Sequence, residues 1–373
     1  SFYFYLKFLM LRKESMTTTT TKPIRADFYT NGTASHCWRI DGVANWLNFY
    51  TEEHGIYVAE WTKWKGKPGD GANLVIVEML TSEDMVRECH ARGAKVIYET
   101  DDAMIDSYGD ERKNLQKIGK EFREASIRTM NACDAMIVTT QRLKESYLPF
   151  VNIPIYVIPN YIDFYWYGRE RLNIERTTDE VRIGWFGSKG HLEDLRLVVP
   201  VLREVLEKYP QAKFVYAGFG GMSSDSLSTE ATWGEDILKE IPRERREFVV
   251  GVGEDVWPMK HRTLDLDIGI APLIDDTFNW CKTPIKWLEY GVLETPAVCS
   301  PVLYSDYVTD NVNALIAKDH KGWVEKLSAL IEDKELRRKI GENARLEAEN
   351  NWDLEDHKEE FLRVFQEVVY GRD

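Results

Sequence analysis

The chain has 373 residues, of which 43% are hydrophobic and 29% are charged, and its formal net charge is −14. This length predicts two domains, each large enough to bury its own core. The acidic balance, without a block of five or more basic residues, argues against binding nucleic acid or an anionic membrane through bulk charge, while a local basic groove stays compatible with it. The five cysteines form no C-x-x-C pair, which excludes an obvious disulfide framework or zinc site and favours a cytoplasmic location.

The first residues are predicted to lie outside any folded domain. Residues 1–15 contain an apolar run that is too short to span a bilayer, and Met16 begins a threonine-rich stretch. We therefore expect residues 1–25 to form a disordered leader, with Met16 as the natural start. A membrane-surface anchor is the alternative, for which the few basic residues near the run give little support.

From residue 26 the chain alternates short apolar runs with longer amphipathic segments, which is the pattern of βαβ units in a parallel sheet. After a first strand near residue 26, strands are predicted at 73–79, 95–100, 134–140, 155–160, 181–187, 213–220, 248–253, 267–273 and 296–300. A stretch with neither period separates the two sets. We expect an α/β fold with Rossmann-like domains at 26–170 and 181–348, a linker at 171–180, and a ligand cleft between the domains.

A glycine-containing loop at the start of the second domain is a candidate phosphate site. Gly187, Ser188, Lys189 and Gly190 follow a predicted strand and precede a helix. Glycines allow a phosphate to approach the backbone closely, and Lys189 adds a positive charge. An ordinary βα turn is an equally good interpretation of this loop. The later GFGG run has Ser223 in place of the third glycine of a dinucleotide motif, which argues against an NAD site.

The stretch TPIKWLEYG places Lys286 and Glu289 on one face of a predicted helix. Such a pair is most often a solvated ion pair at the surface. A lysine in the first turn is unfavourable beside the positive end of the helix dipole, and a diphosphate in the cleft would explain its presence. Glu289, one turn deeper, could then accept hydrogen bonds from ribose hydroxyls. Both interpretations, the surface pair and the ligand site, follow from the residues alone.

The longer run APLIDDTFNWCKTPIKWLEYGVLETPAVCS resembles the donor-binding segment of retaining GT-B glycosyltransferases of the family 4 group. The stretches RIGWFGSKGHLEDL, IYVIPNYID and LIEDKELRRKIGENAR agree with it in order, and the resemblance extends over about residues 26–365. It implies two Rossmann-like βαβ domains whose parallel sheets face an interdomain cleft, with a C-terminal helix in 349–373 that crosses back to the first domain. The implied activity is sugar transfer from a nucleotide-diphosphate sugar to an acceptor hydroxyl, with retention and without a metal or other cofactor.

The resemblance also implies roles for individual residues. Lys286 and Lys189 would stabilise the leaving diphosphate, and Glu289 would bind the ribose. The residues expected around the donor, a UDP-, GDP- or dTDP-sugar, are Gly187, Ser188, Lys189, Gly190, Asp275, Asp276, Asn279, Thr283, Lys286 and Glu289. The chain departs from the pattern twice: a second glutamate expected eight positions before Glu289 is Cys281, for which Asp275 or Asp276 could substitute, and a glycine expected before Pro296 is Glu294.

Acceptor contacts are expected in the first domain. Asp101 and Asp102 follow a predicted strand and are interpreted as groups that position an acceptor or donor hydroxyl, with helix capping nearly as plausible and a metal site the least favoured. Asn31, His36 and Arg39 follow the first strand and are also expected on the acceptor side. A glycan or lipid-linked sugar is the expected acceptor, and a modified base in DNA is the minority alternative. No stable membrane insertion is expected.

Other functions stay open at this point. A non-catalytic GT-B-like protein that binds a glycan or a nucleotide is favoured by Cys281 in place of the glutamate. A nucleotide-sugar epimerase would use the same architecture and would convert the donor without an acceptor. An NAD-dependent dehydrogenase ranks lower because its glycine pattern is broken.

Overall fold

The computed structural model describes residues 24–29, 39–40, 42–44, 47, 57–61, 69–79, 81–103, 105, 120–168, 178–219, 235–252 and 256–371. The predictions for Met16, Asn31 and His36 lie outside the described residues, as do those for nearly all of the leader and for 171–177 of the linker.

The first domain is built on a six-stranded sheet in the order β2-β1-β3-β4-β5-β6, and all of its described pairings are parallel. Its strands are β1 (Arg25–Tyr29), β2 (Tyr57–Trp61), β3 (Leu74–Glu78), β4 (Lys95–Thr100), β5 (Ala135–Val138) and β6 (Ile155–Val157). The described helices of this half are α1 (Glu83–Ala91), α2 (Lys120–Ala132), α3 (Gln141–Tyr147) and α4 (Phe164–Tyr167).

The second domain has a six-stranded sheet in the order β12-β11-β10-β7-β8-β9, again with every described pairing parallel. Its strands are β7 (Val181–Ser188), β8 (Ala212–Phe219), β9 (Arg246–Val250), β10 (Ile268–Ala271), β11 (Ala297–Cys299) and β12 (Leu315–Ile316). Its helices are α5 (Leu192–Arg196), α6 (Val199–Lys208), α7 (Glu235–Leu238), α8 (Trp257–Thr263), α9 (Thr277–Trp280), α10 (Ile285–Val292), α11 (His320–Glu332) and α12 (Lys334–Asn351), and α13 (Leu354–Tyr370) follows.

Local sequence explains why these elements form. The central strands are mostly apolar and buried, as in β3, where all five residues are buried and only Glu78 at the end is charged, because helices cover both faces of a parallel sheet. Helices begin at capping side chains: the hydroxyl of Ser82 accepts from the amide of Met85 at 3.3 Å, and that of Thr140 accepts from Leu143 at 3.0 Å. All of the predicted strands are present, while β2 and the two-residue β12 were not predicted.

The chain crosses between the domains twice, and the crossings lie side by side. The amide of Ile162 donates to the carbonyl of Trp352 at 2.8 Å, and the amide of Leu354 donates to the carbonyl of Ile162 at 3.0 Å. Helix α13 then packs on the first sheet, where Phe365 contacts Phe28 with ring centroids 6.0 Å apart. None of the helices that the structure describes is long and apolar enough to cross a membrane.

Helix α10 is held tightly against the second sheet. A Cβ at Gly269 would lie 2.5 Å from the ring of Tyr290, so only glycine on β10 lets this ring approach the strand. The Tyr290 hydroxyl then donates to the carbonyl of Gly184 at 2.9 Å. The indole of Trp287, on the same helix, donates to the carbonyl of Asn313 at 2.9 Å. These contacts fix the axial position of α10, and with it Lys286 and Glu289.

Candidate functional site

Glu289 is buried rather than solvated. Its side chain is on α10, and the residue is 4% exposed. Oε1 accepts hydrogen bonds from the hydroxyl of Tyr167 at 2.5 Å and from the indole N–H of Trp257 at 2.9 Å. Burial raises the pKa of Glu289 to about 7, against the lowering effects of these two hydrogen bonds and of the Lys286 charge. The interpretation of Lys286 and Glu289 as a solvated surface pair is therefore wrong.

Half of the predicted glycine loop belongs to β7, because Gly187 and Ser188 are the last two residues of that strand and pair with β8. Lys189 begins a short 3₁₀ turn that ends at His191, whose Nδ1 is 2.8 Å from Oδ2 of Asp194. Burial, together with the charge of Lys286, lowers the pKa of His191 to about 4. Because Nδ1 faces the carboxylate, the neutral imidazole of His191 carries its proton on this nitrogen and donates it to Asp194. Nζ of Lys286 lies 6.0 Å from the centroid of the Trp185 ring on β7, so the start of α10 lies near the end of this strand.

Asp194 connects this loop to the acidic loop after β10. It is 1% exposed, and its Oδ1 accepts from the amide of Ile274 and from the side-chain amide of Asn279, both at 2.9 Å. Asn279 is fully buried and also donates to the carbonyl of Ile274 at 2.9 Å. Asp275 accepts from the indole of Trp280 at 2.7 Å. These bonds give Asn279 a supporting position inside the loop; contact with the donor stays a prediction for it.

Asp276 caps helix α9, and the loop then turns into the first domain. Oδ1 of Asp276 accepts from the amide of Asn279 at 2.7 Å. The three residues that follow α9 each contact the first domain. The carbonyl of Cys281 accepts from the Thr140 hydroxyl at 2.7 Å, and the Thr283 hydroxyl accepts from the side chain of Asn160 at 2.9 Å.

The remaining contact of this loop is an ion pair across the cleft. Nζ of Lys282 lies 2.6 Å from Oδ1 of Asp102, directly after β4. Burial raises the pKa of the neighbouring Asp101 to about 7, and the charge of Asp102 adds to this rise while Lys282 opposes it. The ion pair places the end of β4 against the loop after α9, and a role for Asp101 and Asp102 in positioning a hydroxyl stays a prediction. Within the described residues, no cluster of three His, Cys, Asp or Glu side chains has a metal-binding arrangement.

Arg39 supports the strand ends of the first domain from inside. It is 1% exposed, forms an ion pair with Glu99, and donates to the side chain of Asn160 at 3.0 Å. The same guanidinium donates to the carbonyls of Ile158 and Pro159 at 3.0 and 2.9 Å. Burial raises the pKa of Glu99 to about 8 despite the adjacent Arg39. Acceptor contact by Arg39 stays a prediction, since its described partners are all internal.

Comparison with known proteins was made at the levels of sequence and structure. No protein-family model matches the chain, and no curated protein matches it in sequence. TarM of S. aureus, crystallised with UDP, is 15% identical with a TM-score of 0.58, and the match covers 80% of this chain and 56% of TarM. The chain therefore spans little more than half of the length of TarM.

Two further structures match over nearly their full length. Sucrose-phosphate synthase from Thermosynechococcus elongatus is 12% identical with a TM-score of 0.64, and the match covers 94% of this chain and 100% of the synthase. HepE from Anabaena, in complex with UDP and glucose, is 13% identical with a TM-score of 0.61, and the match covers 91% of this chain and 98% of HepE. The chain has the GT-B fold.

The GT-B fold brings most of the predicted second-domain residues to one end of the second sheet. The loop after β7, the loop after β10 and the start of α10 all follow the carboxyl ends of adjacent parallel strands. The contacts of His191, Asp194, Lys282, Tyr167 and Trp257 were not predicted. His191 stood in the glycine loop as a visible signal, whereas Tyr167 and Trp257 lie in distant segments that no local motif marks.

Proposed function

We propose that the protein is a retaining, metal-independent glycosyltransferase that moves a sugar from a nucleoside diphosphate sugar to an acceptor hydroxyl. The observation that carries this proposal is the state of Glu289: a buried carboxylate whose Oε1 is occupied and whose Oε2 accepts no hydrogen bond from the described residues. A carboxylate oxygen that no described donor holds can accept hydrogen bonds from a ligand, and the vicinal hydroxyls of a ribose supply such donors.

The diphosphate would lie between α10 and the glycine loop. Lys286 at the start of the helix and Lys189 after β7 would supply positive charge, and the backbone at Gly187, Ser188 and Gly190 would approach the phosphates closely. A Cβ at Gly187 would meet the Trp185 ring at 2.9 Å, so a side chain there would disturb the end of β7. TarM and HepE were crystallised with UDP, which makes a UDP-sugar the first donor to test before GDP- and dTDP-sugars.

The reaction needs stabilisation of the negative charge that develops on the leaving diphosphate. Lys286 and Lys189 would supply it, without a metal. In the proposed retaining reaction the acceptor hydroxyl attacks from the face that the diphosphate leaves, and its proton passes to the departing phosphate. Asp101 and Asp102, on the opposite side of the cleft, would position an acceptor hydroxyl or a hydroxyl of the transferred sugar.

The transferred sugar would not be held by residue 281. The Cys281 side chain is 3% exposed and packs among first-domain residues, and burial raises the pKa of its thiol to about 11. Oδ1 of Asp275 accepts from Trp280 and Oδ1 of Asp276 accepts from Asn279, so each carboxylate already holds a neighbour with one oxygen. Contact of either residue with the sugar stays a prediction. A glycan or lipid-linked sugar is the proposed acceptor, with a modified DNA base as the minority option, and the proposed location is the cytoplasm.

Thermal denaturation with a nucleotide panel tests donor binding. Wild type, Lys286→Ala and the control Lys321→Ala would be heated with UDP, GDP, dTDP, CMP and NAD⁺; Lys321 is fully solvated in its pair with Glu325. A ligand present at about 100 times its Kd stabilises a protein by roughly 2.7 kcal/mol. We expect one nucleoside diphosphate to raise the midpoint of wild type and Lys321→Ala but not of Lys286→Ala. Equal shifts in all three proteins would remove Lys286 from the site.

Turnover then separates the remaining functions. Nucleotide release that requires an acceptor supports a transferase, and NMR of the product shows whether the anomeric configuration is retained. Activity that persists in EDTA supports metal independence. Donor conversion without an acceptor would identify an epimerase, and binding without turnover across an acceptor panel would favour a non-catalytic protein.

A further inference from the structure

The segment that joins the domains reaches into the proposed donor site. Helix α4 begins at Asp163, whose carboxylate accepts from the amides of Tyr165 and Trp166 at 2.9 and 3.2 Å. Just before it, Ile162 is paired with the second crossing between the domains. Tyr167, the last residue of the helix, is fully buried among second-domain side chains. The hydroxyl of a residue from the crossing therefore meets Glu289 of the second domain.

Two donors converge on one oxygen of Glu289. Tyr167 and Trp257 both bond Oε1, so rotation of the carboxylate would break both hydrogen bonds at once. Trp257 is held in turn by His261, whose ring stacks on the indole with a centroid distance of 5.2 Å and an interplanar angle of 12°. His261 is 1% exposed, and neither ring nitrogen has a hydrogen-bond partner among the described residues. It acts as a flat apolar support, and burial lowers its pKa to about 3.

We propose that Tyr167 is a positioning residue that orients Glu289 toward the ribose hydroxyls of the donor and thereby links the interdomain crossing to donor binding. This inference rests on the proposed function. The hydroxyl of Tyr167 holds Oε1, so Oε2 keeps a fixed direction before the nucleotide arrives. A preset acceptor loses less conformational freedom on binding than a mobile one, and this difference appears as affinity.

A thermodynamic cycle between Tyr167 and the ribose tests the proposal. Calorimetry would give the Kd of UDP and of 2′,3′-dideoxy-UDP for wild type, Tyr167→Phe and Tyr161→Phe. Tyr161→Phe is a matched control, because Tyr161 lies in the same segment, is 6% exposed and donates to a different glutamate, Glu360, at 3.1 Å. We expect Tyr167→Phe to weaken UDP binding about fivefold to tenfold and to leave the Kd of the dideoxy compound unchanged. Tyr161→Phe should change neither Kd.

A pH profile provides a readout that a purely structural role would not move. The charged groups and donors that face Glu289 are Lys286 on its own helix, Tyr167 on α4 and Trp257 on α8, with neutral His261 behind the indole. Both hydrogen bonds lower the pKa of Glu289, so loss of the Tyr167 hydroxyl raises it. The ribose hydroxyls donate to the carboxylate form of Glu289, so UDP binding weakens as the pH falls through its pKa. In Tyr167→Phe this weakening should begin at a higher pH than in wild type. Glu289→Gln is the control, because it has no carboxyl group at this position and any pH dependence that remains comes from the titration of the nucleotide itself.

The outcomes separate the inference from the function on which it rests. If wild type binds neither UDP nor any other nucleoside diphosphate of the panel, both fall. If wild type binds UDP and Glu289→Gln weakens it while Tyr167→Phe does not, only the role of Tyr167 is overturned. Equal weakening of UDP and the dideoxy compound, or failure of Tyr167→Phe to fold, would assign the hydroxyl to the fold and also overturn the proposal.

Discussion

Burial sets the protonation of the carboxyl groups around the cleft. Desolvation raises the pKa of Glu99 to about 8 and those of Asp101 and Glu289 to about 7, and in each case it outweighs a nearby cation. A carboxyl group in this range gains charge when a ligand brings hydrogen-bond donors to it. The same burial lowers the stability of the fold as the pH rises, because the unfolded chain ionises these groups more easily.

Glu289→Gln should reveal this conflict as a change in the pH dependence of stability. The ordinary pKa of 4.5 rises to about 7 in the folded protein, so the folded state keeps a proton that the unfolded state releases between these values. The contribution of Glu289 to the free energy of unfolding therefore falls as pH rises through this window. We expect Glu289→Gln to match wild type at about pH 4 and to exceed its stability by about 1–3 kcal/mol at about pH 8. Urea denaturation at both pH values measures the difference, and a constant difference would contradict it.

At the scale of elements, the turn between α10 and β11 keeps a conformation that suits glycine although the residue is Glu294. Its φ is +55°, in the left-handed region. The turn has no freedom to relax, because a Cβ at Gly341 on α12 would come within 2.0 Å of the Glu294 carbonyl oxygen. Packing therefore imposes the conformation, and the side chain is strained in it.

Glu294→Gly should stabilise the protein for this reason. Relief of the left-handed strain outweighs the larger conformational entropy of glycine in the unfolded chain, and we expect a gain of about 0.5–1 kcal/mol in the free energy of unfolding. The lost contact with Arg345 is long, at 3.9 Å, and contributes little. Asn311→Gly is the control: its φ is +62°, but asparagine tolerates this region, so a smaller gain is expected. Equal effects of both changes in chemical denaturation would show that Glu294 is not strained.

Periodicity predicted the elements well and the contacts between them poorly. Buried strands such as β5 and β10 appear as apolar runs of strand length, and the fold class followed from their alternation with helices. The two-residue β12 is too short for any period to indicate. The motif around Lys286 was visible as a local conflict between a lysine and the helix dipole. The partner of Glu289 was not visible, because 122 positions separate it from Tyr167. The stretch that contains Tyr167 has neither period and was interpreted only as a connection between the two sets of strands.

The whole molecule is held in its present arrangement by both polar and apolar contacts between the domains. Phe278 and Cys281 of the second domain pack into a core cluster of the first, next to the cross-domain hydrogen bond from Thr140 and the ion pair between Lys282 and Asp102. Interfaces with a large polar share permit domain motion, and a transferase of this fold would close to exclude water from the donor. The ion pair between Lys282 and Asp102 is therefore a candidate for the contact that sets the fraction of molecules with closed domains.

If the ion pair sets the fraction of closed molecules, Asp102→Asn should increase the fraction in which the two domains lie apart. The side chains of Lys282 and Asp102 are 19% and 27% exposed, so their attraction is only partly screened, and loss of the charge leaves a half-buried lysine without its carboxylate. Small-angle X-ray scattering should show a larger radius of gyration for Asp102→Asn, and high salt should move wild type in the same direction. Asp306→Asn is the control, because its pair with Arg142 also joins the domains but is 45–52% exposed and should contribute little. An unchanged radius in Asp102→Asn would mean that the other contacts, among them the packing of Phe278 and Cys281, hold the domains together without the ion pair.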